Sequence, residues 1–101
     1  MQGHIVLKPS SNLGLTISGT AVSFTETDIP NNVVGAIVTV ESNDVRMRYD
    51  GTDPLKTGVD GAQLMKKDSI WEITGRDILV DMSFIAPGSD AFVTMMCLAG
   101  W

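Results

Sequence analysis

The residues best suited to chemistry are thinly spread. One histidine, His4, and one cysteine, Cys97, stand near opposite ends of the 101-residue chain. A nucleophilic Cys–His pair would need the end strands to be neighbours, and a cysteine inside an apolar run is usually a small core residue. No Gly-x-Ser-x-Gly elbow is present to activate a serine. There is no glycine-rich phosphate loop and no Cys/His zinc spacing. Asp50, Asp53 and Asp60 fall in or beside one long loop, where three carboxylates could gather around calcium. The EF-hand spacing is absent, and turns of this composition are ordinary. Tyr49 and Trp71 could stack on sugar rings from a sheet surface, but each shares its strand face with apolar residues, which favours a place in the core. The expectation is therefore a protein that is not an enzyme, with no catalytic residues, cofactor or metal.

Composition narrows the class further. Seven Lys and Arg against twelve Asp and Glu give a formal net charge of −5. That excess argues against gripping nucleic acid through its phosphates, and against an anionic membrane surface. Apolar residues make up 44% of the chain, enough for a packed core and too many for disorder. A lone cysteine cannot form an internal disulfide, which fits a reducing compartment. The start, "MQGHIVLKPSS", lacks the charged and apolar regions of a signal peptide, and no apolar run is long enough to span a bilayer.

The elements that would position these residues read as nearly all β. Helical periodicity never persists, while short apolar, β-branched stretches recur between Gly, Pro, Asn, Asp and Ser. Residues 4–7 form a first candidate strand, stopped by Pro9. Residues 13–18 and 20–25 follow, with Gly19 between them as a candidate hairpin. "VVGAIVTVE", Val33–Glu41, is the strongest strand: Ala36, Val38 and Val40 share one face, Ile37, Thr39 and Glu41 the other. In "VRMRYD", Val45, Met47 and Tyr49 alternate with Arg46, Arg48 and Asp50, so these two strands look like a hairpin with one wet face. After the loop at residues 51–61 come a short segment at 62–65, a strand at 69–74 holding Trp71, and an alternating strand at 78–85. "SIWE" matches a capping box by chance, with no helical run behind it.

The final strand, residues 91–98, is almost unbroken: Phe92, Val93, Met95, Met96, Cys97 and Leu98. A strand buried on both faces reads this way. Its second face could meet another subunit or a covering loop. The pattern as a whole predicts one domain over residues 1–101, an antiparallel β-sandwich of jelly-roll type with about eight short strands. Residues 1–11 could be an extended arm or an exchanged strand that adds to a neighbour's sheet edge. Candidate interface residues are His4, Ile5, Val6, Leu7, Phe92, Met96 and the terminal Trp101.

The order "AIVTVESNDVRMRYDGTDP", then "GAQLMKKDSIWEITG", then "ILVDMSFIAPGSDAFVTMMCL" resembles small structural proteins of tailed bacteriophages. The likeness covers residues 35–98 and is carried by Val45 to Pro54 and by Phe84-Ile85 before the last strand. The Met- and Cys-rich final strand departs from the alternating strand usual in such proteins. The resemblance implies a virion component assembled in the host bacterial cytoplasm. It would decorate the capsid as a dimer or trimer and clamp joints between major capsid proteins. A neck, tail or baseplate component is the alternative within the same family type. "YDGTDP" is also similar to an element of small carbohydrate-binding sandwich modules appended to glycosidases.

Overall fold

The computed structural model describes residues 7–100. His4, Ile5, Val6 and Trp101 lie outside the described residues. The chain forms strands β1 Leu7–Ile17, β2 Val22–Ser23, β3 Val33–Glu41 and β4 Val45–Arg48, then β5 Gln63–Met65, β6 Ile70–Thr74, β7 Ser83–Ile85 and β8 Ala91–Gly100. A six-residue helix, α1 Arg76–Asp81, precedes β7, and a 3-10 turn occupies Glu26–Asp28. Antiparallel pairing is nested: β1 with β8, β2 with β7, β3 with β6, β4 with β5. A ribbon of paired strands wound on itself in this way is a jelly roll. Its winding is closed by β3 against β8 and β4 against β7, giving two four-stranded sheets ordered β1-β8-β3-β6 and β2-β7-β4-β5.

The strongest alternation in the sequence holds in space. On β3, Ala36, Val38 and Val40 are buried, while Ile37 and Thr39 are half-covered and Glu41 is exposed. Val93 and Met95 of β8 join them, and the second sheet replies with Val45, Met65 and Phe84. Phe84 meets Phe24 edge to face, with ring centroids 5.9 Å apart at 87°. Each buried Val, Met or Phe among them stabilises the fold by roughly 1.5–3 kcal/mol relative to exposure. With one buried free cysteine, packing rather than an internal cross-link holds the domain.

Several local expectations are corrected. Pro9 does not stop the first strand: β1 continues through it to Ile17. The strand lies at a sheet edge and its register shifts between Pro9 and Ser11, so the missing N–H is tolerated. Leu7, Lys8, Pro9 and Ser11 pair with β8 of the same chain. Gly19 makes no hairpin, because β1 and β2 belong to opposite sheets. The same holds for β3 and β4. The "SND" turn is a corner between sheets, where Ser42 adopts a φ of 76°. Asn43 Nδ2 donates to the Asp90 carbonyl at 2.8 Å and Asp44 accepts from the Lys67 N–H at 2.7 Å, fixing that corner.

Residues 78–85 are not one strand. The helix α1 turns Leu79 into the core and leaves Ile78 37% exposed, the reverse of strand alternation. Leu79 and Met82, three residues apart, are both fully buried. Arg76 secures the helix start by donating from Nε to the Pro30 carbonyl (3.1 Å) and from Nη2 to that of Ile29 (2.8 Å). Strand β4 ends at Arg48, so Tyr49 leaves the core face and is 54% exposed, contrary to its expected inward place. The final strand is buried on one face only: Ala91, Val93, Met95, Cys97 and Ala99 point in.

Candidate assembly surface

The two sheets have very different outer faces. On the second sheet, Arg46 and Arg48 project outward from β4 and hold the loop at residues 51–62 against it. Arg46 donates from Nε to the Lys56 carbonyl and from Nη1 to that of Ala62, both at 3.1 Å. Gly58, at a φ of +73°, lies so close that an added Cβ would sit 2.4 Å from the Arg46 guanidinium. Arg48 binds Asp50 through Nε and Nη2, and Asp60 through Nη1 at 3.1 Å. Asp60 in turn accepts the backbone N–H of Leu55 and of Ala62. Ser83 on β7 donates to Asp53 at 3.2 Å, and Pro54 is buried. All three residues of β7 are buried, which requires cover on both faces. The loop is that cover.

These contacts engage the three loop carboxylates. Asp50 and Asp60 turn their oxygens to Arg48 and to backbone N–H groups, and Asp53 turns to Ser83. Among the described residues no group of three His, Cys, Asp or Glu side chains could hold a metal ion. Cys97 points into the core, its sulfur 3.6 Å from that of Met95.

The same geometry sets a pH dependence. Hydrogen bonding from Arg48 holds the Asp50 carboxyl below its ordinary value. Burial pushes the Asp60 carboxyl up, but hydrogen bonds from Arg48, Ala62 and Leu55 outweigh it and hold that group low as well. Carboxylates depressed by folding contribute stability above their unfolded value, near pH 4, and lose it as pH falls through the folded values. The loop is therefore clamped at neutral pH and released in acid. The amide shifts of Leu55 and Ala62 should titrate together in NMR, with a midpoint below that of a free aspartate. An ordinary midpoint would mean that Asp60 is not clamped.

The outer face of the first sheet carries no such cover from the described residues. Met96 of β8 lies beside Ile37 of β3, and Phe92 and Leu98 follow on the same face of β8. The Phe92 ring lies over Gly14 of β1: a Cβ there would be 2.7 Å from Cζ. Ile70 of β6, 70% exposed, and Val34, 43% exposed, extend the apolar area. Thr39, Thr94, Glu41 and Glu72 give it polar neighbours. Exposed apolar patches rimmed by polar residues mark interaction surfaces when they are contiguous.

Of the expected interface residues, the structure places Phe92 and Met96 on this face. Leu7 opens β1 opposite Gly100. Ile37, Leu98 and Ile70 were not among the expected set. An isoleucine on the supposedly wet face of β3 was the available clue. A concavity of about 350 Å³ opens between the free edges of β5 and β6. It brings Tyr49 and Trp71 together with Met47, Gln63 and Ile78. The Trp71 indole N–H is already satisfied by Ser69 Oγ at 2.8 Å.

Fold and surface together define the class: an antiparallel jelly-roll sandwich with one outer face covered and the other left open by the described residues. Comparison with protein-family models, curated proteins and solved structures found no match for the chain.

Proposed function

We propose that this chain is a non-enzymatic virion structural protein that decorates a bacteriophage capsid. It would lie with the open face of β1-β8-β3-β6 across joints between major capsid proteins. The observation that carries this reading is the asymmetry of the two sheets: one outer face is sealed by the chain's own loop, the other presents Ile37, Phe92, Met96 and Leu98 to whatever lies above it. The motif order over residues 35–98 supplies the bacteriophage part. Jelly rolls serve as both capsid and lectin domains, so the fold alone favours neither. Assembly would take place in the host bacterial cytoplasm, and the working unit would be a homo-oligomer.

The test is co-sedimentation with capsids that lack the protein, before and after heating. Bound protein that raises the temperature of capsid disruption supports the proposal; absence from the particle rejects it. Binding to isolated neck, tail or baseplate assemblies would instead move the same surface down the particle.

The cleft holding Tyr49 and Trp71 supports a second reading, a carbohydrate-binding module. Glycan binding that is lost in a folded Trp71→Ala variant would favour it.

A further inference from the structure

The first sheet is flanked by β1 and β6, and the two edges differ. β6 is five residues long, carries Glu72 at its centre and follows Lys66, Lys67 and Asp68. β1 is eleven residues long and has no charge from Pro9 to Ile17. Edge strands are normally guarded by charge, proline or a bulge. Pro9 and the register shift beside it guard the start of β1; nothing of the kind protects Asn12 to Thr16. Among the described residues only β8 pairs with β1, so alternate N–H and C=O groups along its far side have no strand partner. Leu13 and Leu15 face the core side yet stay only half-buried at this edge.

The stretch Asn12-Leu13-Gly14-Leu15-Thr16 is self-complementary about Gly14. In an antiparallel pair centred there, Leu13 faces Leu15 of the second copy, Asn12 faces Thr16, and glycine faces glycine. Leucines meet on the core side and small polar residues on the outer side. No like charges meet, which would otherwise oppose self-pairing. We propose that two copies join through this edge, around a two-fold axis at Gly14, into one continuous eight-stranded sheet. The two open faces then form a single surface. The inference rests on the homo-oligomer part of the functional reading and names its surface.

The test uses the full chain at about 100 μM, well above a roughly 1 μM dissociation constant, with mass measured by light scattering. The wild type is expected at twice the chain mass. The double variant Asn12→Lys/Thr16→Lys sets lysine opposite lysine twice and is expected to be monomeric, as is Asn12→Glu/Thr16→Glu. Mixing the two variants should restore the dimer, with lysine opposite glutamate. A monomeric wild type, or a lysine variant that stays dimeric, overturns edge pairing. Monomeric variants that fail to combine overturn the register at Gly14. Capsid co-sedimentation of each variant, read separately, reports on the functional proposal itself: a monomeric variant that still binds capsids leaves that proposal standing.

Discussion

Phe84→Ala is expected to lower the thermal unfolding midpoint by roughly 15–30 °C, or to leave the chain unfolded at 37 °C. Phe84 is fully buried on β7, between Val22 of β2 and Met47 of β4, and its ring abuts Phe24. Truncating a buried phenylalanine costs about 3–5 kcal/mol, from lost transfer energy and the cavity left behind. A domain of this size has only about 5–15 kcal/mol to lose. Circular dichroism against temperature measures the change. Ile70→Ala, on the open face and 70% exposed, should hardly move the midpoint. Equal effects at the two positions would mean that the core is not where the structure places it.

Ile37→Lys combined with Met96→Lys is expected to weaken capsid binding by about 100-fold or more while leaving the fold intact. The two residues are cross-strand partners at the middle of the open face. Central interface positions hold most of the binding free energy, and two ammonium groups, only one of them with a carboxylate (Glu72) across from it, would have to be stripped of water on docking. In the free protein both lysines can reach solvent but face each other across β3 and β8, so the unfolding midpoint should fall by only a few degrees, about 1 kcal/mol or less, and the protein stays folded. Sedimentation with capsids gives the affinity and calorimetry the midpoint. Tyr49→Ala, in the cleft beyond the β6 edge, should bind as the wild type does. If Tyr49→Ala abolishes binding and the lysine pair does not, the cleft is the site and the open face is not.

How far the sequence carried the structure depended on the range of each interaction. The alternation in Val33–Glu41 and the apolar run in β8 are local, so both strands were legible, as was Phe92 and Met96 at the surface. Whether β3 and β4 form a hairpin or turn a corner is decided by contacts such as Asn43 with Asp90, remote in sequence. Helix α1 has six residues, too few for a helical period to show against alternating Ile78, Val80 and Met82. Its position depends on Arg76 reaching Pro30. The loop "RYDGTDP" looked like a possible metal site because its carboxylates are close in sequence. Their partner, Arg48, is also close, but Asp60 joins it only once the loop folds back. Trp71 was expected in the core and is half-buried at the rim of the cleft, since β6 is an edge strand.

The most direct measurement of the proposed role is hydroxyl-radical footprinting of the protein, alone and mixed with capsids, with oxidation read by mass spectrometry at individual side chains. Met96 and Phe92 lie on the open face, Tyr49 and Val59 elsewhere, and Met95 is buried as an internal control. Met96 and Phe92 should lose most of their labelling on assembly, while Tyr49 and Val59 keep theirs. Unchanged labelling at Met96 and Phe92, with protection at Tyr49, would contradict the assignment of the β1-β8-β3-β6 face as the assembly surface.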